Sequence, residues 1–244
     1  MIRPLVVALV AASRLHAAPS DSLLGISLVP NKTGAALSVP MQIVLLMTAM
    51  TLLPAILMAL TPFLRITIVL HFLRQALGTN TAPSNQVLVA LAMFLALIVV
   101  QPVATEVYHQ GWEPLENGQV SASQAWDQAS VPIKTFLLKF AREKDIQLFI
   151  ELGHSAPPSK PQDVPLSALA PAYVLSELKA AFQIGAVLYL PFLIVDLVVA
   201  SVTLSVGMVQ LPPAMISAPF KILLFVLVDG WNLVVGSLVR SFNG

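Results

Sequence analysis

The chain has no cysteine, and this absence removes several kinds of chemistry at once. Disulfide bonds, thiolate nucleophiles and cysteine-ligated zinc sites all require that side chain. Histidine is scarce as well, and the four histidines do not have the spacing of a metal site. There is also no phosphate-binding glycine loop and no nucleophile elbow. We therefore expect no enzymatic activity, no cofactor and no metal.

Charge is the second shortage. Only 10% of the residues are charged and 57% are hydrophobic, whereas soluble globular domains carry about 25% charged residues. Water cannot solvate so much apolar surface, so most of the chain must lie in lipid or against other apolar subunits. The formal net charge of +1 gives no electrostatic reason to expect a nucleic acid partner.

The first residues have the order of an export signal. A basic start at Arg3 precedes a short apolar run and a cluster of small residues, which predicts a secretory signal peptide over residues 1–18, cleaved between residues 13 and 18. The apolar run is too short to cross a membrane. An uncleaved N-terminal anchor is the alternative. Residues 19–38 contain serine, glycine and proline without a clear pattern and predict a linker.

Four long apolar segments follow, each near or above the roughly 20 residues that a membrane-spanning helix needs. They comprise residues 39–64, 87–105, 182–211 and 215–239. These segments predict an all-α integral membrane protein, with a first helical hairpin in residues 39–105 and a second in residues 171–244.

Prolines interrupt or flank all four segments, and each one removes a backbone donor from a helix. Carbonyl groups freed in this way are tolerated within a membrane only where protein or a water-filled cavity surrounds them. We therefore expect bent, proline-broken hairpins packed in an oligomer. The prolines are Pro54, Pro62, Pro102, Pro191, Pro212, Pro213 and Pro219.

Residues 106–170, called the polar region below, hold 13 of the 25 charged residues. Within them, residues 132–152 place apolar side chains at helical spacing, which predicts one amphipathic helix in a small helical region. Arg65 and Arg74 lie between the first two apolar segments. The positive-inside rule places both arginines on the cytoplasmic side and the polar region in the periplasm.

Three ionisable residues lie inside apolar segments, where they are expected to face a partner or a wet cavity. They are Asp196, Lys221 and Asp229, and Glu177 lies just before the third segment. We expect Lys221 to pair with an acid, with Glu177 as the first choice and Asp196 as the second. Lys221 could instead extend to a membrane interface from near a helix end.

Met208, Val209 and Gln210 precede the double proline that follows the third segment. The methionine could be an ordinary packing residue. It could also be part of a flexible apolar constriction, because methionine side chains deform around what passes them.

Several blocks of the sequence resemble the FliP family. In the first half they are residues 51–58 (TLLPAILM), 65–69 (RITIV), 73–79 (LRQALGT) and 83–88 (PSNQVL). In the second half they are residues 176–185 (SELKAAFQIG), 191–198 (PFLIVDLV) and 219–231 (PFKILLFVLVDGW). The polar region matches in position and character only.

The resemblance implies a core channel-forming subunit of the flagellar type III protein export gate in the bacterial inner membrane. Such subunits form a pentamer with FliQ and FliR at the centre of the flagellar basal body, facing the periplasm. Further expected partners are the export components FlhA and FlhB and unfolded flagellar export substrates. The assembly is needed for protein secretion during flagellum biogenesis.

The resemblance also implies roles for single residues. Glu177 and Lys221 match charged positions of the family, and we expect them to pair between neighbouring copies. A methionine-rich pore loop of the family corresponds to Met208, Val209 and Gln210, of which only the first is methionine. The alternatives are an export-gate subunit of a virulence injectisome and a proton-coupled small-molecule transporter that uses Asp196 and Asp229 as relay carboxylates.

Overall fold

The computed structural model describes residues 39–79, 81–154, 157–207 and 212–243. The regular structure within these ranges is helical, without strands, so the all-α prediction is confirmed. The predicted signal peptide, the linker and the three constriction residues at positions 208–210 lie outside the described residues. The chain divides into two units, residues 1–53 and 54–244, and each is described by itself.

The first unit contains the start of helix α1, which spans Val39–Ala59. Its side chains are apolar on every side, and large ones such as Met47 and Met50 are 66% and 68% exposed. A helix without a polar face is typical of a membrane span or of the interior of a large assembly. The predicted segment 39–64 therefore ends as a helix at Ala59 rather than at residue 64.

Three helices form the framework of the second unit. Helix α2 spans Phe63–Ala76, helix α3 spans Asn85–Val107 and helix α7 spans Leu166–Ser205. Helix α2 begins directly after Pro62, whose fixed φ suits the start of a helix. Helix α2 packs against α3 as its hairpin partner, and the connection between the two helices is short. The sequence pattern predicted the first apolar segment, residues 39–64, to be that partner.

Four helical elements form most of the polar region. Tyr108–Trp112 is a π-helical turn, followed by α4 (Glu113–Glu116), α5 (Ala122–Phe140) and α6 (Glu143–Leu152). A 3₁₀ turn at Pro161–Asp163 leads to α7.

The single amphipathic helix predicted over residues 132–152 is two helices. Helix α5 ends because Ala141 and Arg142 have extended backbones. The Arg142 backbone N–H donates to Ser176 Oγ at 2.8 Å, a partner on α7 that a continuous helix would not have used. The hydrophobic spacing was correct, but a tertiary hydrogen bond divides the element.

The last two helices are α8 (Pro213–Leu227) and α9 (Gly230–Asn243), which meet at a bend of 66°. The bend lies at Asp229, whose φ of 52° is in the left-handed region that ends a helix. The predicted fourth segment is thus broken. Its break is at this aspartate and not at Pro219, which lies inside α8.

The other prolines divide into two groups. Pro54, Pro102 and Pro191 lie inside α1, α3 and α7, which continue through them. Pro62 stands at the start of α2, and Pro212 and Pro213 stand at the start of α8. Some prolines therefore mark the start of a helix, whereas others lie inside a helix that continues through them. Within a membrane the second arrangement is tolerated where neighbouring groups satisfy the freed carbonyl groups.

Helices α2 and α7 run in the same direction. Arg65 contacts Glu177 near one end of the pair, and Leu73 packs with Phe192 near the other. Gly185 lets the helices approach closely, because a Cβ there would lie 2.5 Å from the Phe72 ring. Most of the core lies between α2, α3, α7 and α9. The N-termini of α2 and α7 and the C-terminus of α3 thus share the end that carries the polar region.

Three described helices are long and apolar enough to cross a membrane, and the bent pair α8–α9 is a fourth candidate. Within their most apolar stretches only 6%, 28% and 11% of the three single helices is buried in the chain. The chain is therefore an integral membrane protein whose apolar surface must be covered by lipid or by other subunits.

Candidate functional site: buried charges on the apolar helices

A buried ion pair joins Arg65, in the first turn of α2, to Glu177 on α7. Glu177 is fully buried and Arg65 is 6% exposed. The Arg65 Nε donates to Glu177 Oε2 at 2.8 Å, and its Nη2 donates to Oε1. Two parallel hydrogen bonds of this kind fix direction as well as distance. The pair therefore sets the register of α2 against α7.

Helix α9 completes the surroundings of Arg65. The Arg65 Nη1 donates to Ser241 Oγ at 3.2 Å, and the Phe242 ring centroid lies 4.0 Å from the guanidinium carbon. An aromatic face at this distance attracts a cation. Phe140, at the end of α5, lies 5.7 Å from the same carbon. One arginine thus joins α2, α7, α9 and the polar region.

A second ion pair lies in the α7–α8 hairpin. The Lys221 Nζ donates to Asp196 Oδ2 at 2.6 Å, and Ser217, one turn earlier on α8, donates to Asp196 Oδ1. The Lys221 side chain is 4% exposed and that of Asp196 28% exposed. Both oxygens of the carboxylate therefore have partners, which makes a charge tolerable among apolar helices.

A third cluster attaches α6 to α7. Asp145 is 2% exposed and accepts a hydrogen bond from Ser176 Oγ at 2.7 Å and another from Lys179. Burial alone would raise the pKa of Asp145. The hydrogen bonds from Lys179 and Ser176, with the charges of Lys179 and Arg142, outweigh burial and hold that pKa below its ordinary value.

The structure brings Lys221 to Asp196, the second of the two acids considered for it, and gives Glu177 to Arg65. The pairing of Glu177 with Lys221 between copies stays a prediction, because these contacts are those of one chain. Asp229 is exposed at the bend between α8 and α9.

Arg65 lies beside Phe140 of the polar region. The positive-inside rule had placed the two on opposite sides of a membrane, with Arg65 on the cytoplasmic side and the polar region in the periplasm. The contact means that Arg65 and the end of α5 share one side of any membrane, and the assignment of Arg65 to the cytoplasmic side stays a prediction. Arg74 lies further along α2, where its Nη1 donates to the Pro83 carbonyl at 3.3 Å. The assignment of Arg74 to the cytoplasmic side stays a prediction.

Sequence reasoning missed Asp145, Ser176 and Lys179. A signal was present, because Asp145 immediately precedes Ile146 and lies one turn before Phe149. An aspartate on the apolar face of an amphipathic helix indicates a buried partner. The spacing of Ser176 and Lys179, three residues apart, places both on one face of α7.

We expect Glu177→Leu to lower the free energy of unfolding by about 3–5 kcal/mol, because it leaves Arg65 buried without a counter-charge. The double variant Arg65→Met, Glu177→Leu should lose less than the sum of the two single variants. Unfolding of the detergent-solubilised protein with a denaturing detergent measures all three. Glu116→Leu, at an exposed position, is the matched control. Strictly additive losses would contradict a coupled pair.

The lowered pKa of Asp145 predicts a pH dependence. Ionised Asp145 stabilises the fold above its unfolded pKa of about 3.9, and that contribution disappears as the pH falls through the lower folded pKa. Asp145→Asn should therefore cost about 1.5–3 kcal/mol at pH 7 and progressively less below pH about 4. Thermal unfolding from pH 7 to pH 3 measures this difference. Asp127→Asn is the exposed control, and a difference independent of pH would contradict the assignment.

Comparison with known proteins agrees with the resemblance seen in the sequence. A sequence profile of the FliP family matches residues 46–238, which is most of the chain. The Flagellar biosynthetic protein FliP of Cereibacter sphaeroides is 47% identical over 219 residues, covering 90% of this chain and 73% of that protein. The protein of the same name from Pectobacterium carotovorum is 48% identical over 209 residues, covering 86% of this chain and 81% of that protein.

A third relative, the Flagellar biosynthetic protein FliP of Bacillus subtilis, is 48% identical over 201 residues, and the match covers 82% of this chain and 91% of that protein. The matches include α2, α3, α7 and α8, the helices that carry both buried ion pairs. On this evidence the chain belongs to the FliP family.

Proposed function

We propose that the chain is a core channel-forming subunit of the flagellar type III protein export gate, required for export of flagellar axial proteins. The observation that carries this proposal is family membership over most of the chain, shared with relatives named as flagellar biosynthetic proteins. The chain acts as a structural subunit in this function, and catalysis is not part of it.

The distribution of charge and apolar surface supports a subunit that works in an assembly. Two pairs of ionised groups among the apolar helices are matched inside the chain, at Arg65–Glu177 and Lys221–Asp196. The outer surfaces of α1, α3 and α7 are apolar and largely exposed. A single copy therefore presents surfaces that further copies can cover. We propose a homo-oligomer, a pentamer, together with FliQ and FliR and in contact with FlhA and FlhB.

The location follows from the same proposal. The assembled gate lies in the inner membrane at the centre of the flagellar basal body and faces the periplasm, and unfolded export substrates pass through it. Residues 208–210, which follow α7 and precede α8 in the sequence, are the candidate pore constriction. Its single methionine makes a contribution from neighbouring subunits necessary for a tight seal.

A transporter is the weaker alternative. A proton relay needs carboxylates that a proton can reach, but both carboxylate oxygens of Asp196 already accept hydrogen bonds, one from Lys221 and one from Ser217. Asp229 lies at a helix break and is exposed. The injectisome alternative differs only in the secretion system that the chain serves, so a secretion assay separates the two.

An in-frame deletion should stop swimming and abolish secretion of hook and filament proteins into the medium, with both restored by the wild-type gene in trans. Cell-associated hook and filament proteins, measured in parallel, control for loss of their synthesis. Normal swimming of the deletion strain would refute the flagellar function. If such a strain failed to secrete injectisome substrates, the virulence alternative would take its place.

Charge exchange tests which acid Lys221 uses in the working assembly. From the contacts of the chain we expect Asp196→Lys and Lys221→Asp to reduce secretion at least tenfold each, because each leaves an uncompensated charge among apolar helices. The combined exchange should restore part of it. Secreted filament protein, normalised to the amount of the variant in membranes, is the measurement.

The exchange Glu177→Lys, Lys221→Glu serves as the competing pair. Recovery of secretion by this exchange, and not by the first one, would show that Glu177 and Lys221 pair between copies and change partners on assembly. Within each chain the exchange places a second cation beside Arg65, so we expect it to stay inactive unless that change of partners occurs.

A further inference from the structure

A groove of about 550 Å³ lies between α2, α7 and α9 in the second unit. Its walls are almost entirely apolar and include Val69, Ile184, Leu188, Val234 and Leu238. An apolar groove in a membrane protein does not hold water well, because water finds no hydrogen-bond partners along it. A hydrocarbon chain is chemically suited to such a surface.

One end of the groove is polar. Gln183 and Ser241 line it there, and each accepts a hydrogen bond from an arginine. Arg142 Nη2 donates to Gln183 Oε1 at 2.6 Å, and Arg65 Nη1 donates to Ser241 Oγ at 3.2 Å. Arg240 immediately precedes Ser241 and is exposed. The groove thus passes from hydrocarbon-like walls to guanidinium groups.

The charges at this end do not cancel. Arg65 is paired with Glu177, and Lys179 is paired with Asp145. Arg142 is exposed, and none of the ion pairs among the described residues uses it. Next to Arg142 in sequence, Glu143 and Lys144 offset each other. Planar guanidinium groups bind phosphate through paired hydrogen bonds.

We propose that the groove is a binding site for an anionic phospholipid. The upper part of one acyl chain lies along α7 and α9, and the phosphate is held by Arg142, which already reaches the groove through Gln183. The depth in the membrane agrees with this arrangement, because Gln183 lies where α7 changes from the charged face beside the polar region to its continuous apolar run.

A second copy of the chain is the competing occupant. Its exposed helices are apolar, and they would fill the groove without using the excess positive charge at its end. An anionic lipid uses both features at once. This inference depends on the chain being a membrane protein and does not depend on its role in export.

The test uses the full-length protein in detergent, titrated with phosphatidylglycerol and observed by native mass spectrometry. Diacylglycerol galactolipid with the same acyl chains is the phosphate-free comparison. The wild-type protein should bind phosphatidylglycerol about tenfold more tightly, as expected for one added hydrogen-bonded charge pair. Arg142→Gln should remove most of that preference and leave galactolipid binding unchanged. Lys160→Gln, which removes one exposed positive charge elsewhere, should behave as wild type.

A second variant tests the apolar part. Ser237 lines the groove on α9, and Ser237→Phe should fill it and reduce binding of both lipids at least tenfold. Equal affinity of the wild-type protein for the two lipids would overturn the proposal without any variant. Unchanged lipid binding in a folded Ser237→Phe protein, with loss of its oligomers, would overturn it in favour of a contact between copies.

Discussion

The ion pair between Arg65 and Glu177 determines how the rest of the second unit is arranged. Its two parallel hydrogen bonds allow one register of α2 on α7, and in that register Phe72 lies against Gly185 and Leu73 near Phe192. A shift by one turn would separate a buried carboxylate from the cation that it binds, which costs several kcal/mol. Apolar packing alone does not discriminate so strongly between registers, because similar side chains recur along both helices.

Helix α7 contributes to each of the three charge clusters, and each one attaches a different helix to it. Glu177 holds α2, Asp196 holds α8, and Ser176 with Lys179 holds Asp145 of α6. Two of these attachments lie within one turn of α7, at residues 176–179, and the third lies about five turns further along, at Asp196. The polar contacts thus lie between α7 and the helices packed against it, and the exposed side chains of the long helices are mostly apolar. This division suits a subunit of a membrane assembly. The polar contacts fix the fold of one chain, and its outer apolar surface remains available to other subunits.

Sequence patterns predicted the existence of the long helices well and their ends poorly. The third segment was expected to begin at residue 182, but α7 begins at Leu166, because its first turns face the polar region and carry mixed residues. The partner of Lys221 could be limited to two acids. The choice required knowing that Asp196 faces Ser217 and Lys221 across a hairpin, and this depends on the length of the connection between α7 and α8.

The contacts of Arg65 also change how the arginines bear on orientation. The positive-inside rule concerns charges that remain in water beside the membrane. Arg65 is buried and neutralised by Glu177, and it lies beside Phe140 at the end of the helices that bears the polar region. Arg65 is therefore not evidence that this end of α2 lies on the cytoplasmic side. Of the two arginines, only Arg74, further along α2, is of the kind to which the rule applies. The predicted orientation of the α2–α3 hairpin therefore rests on one arginine and not on two.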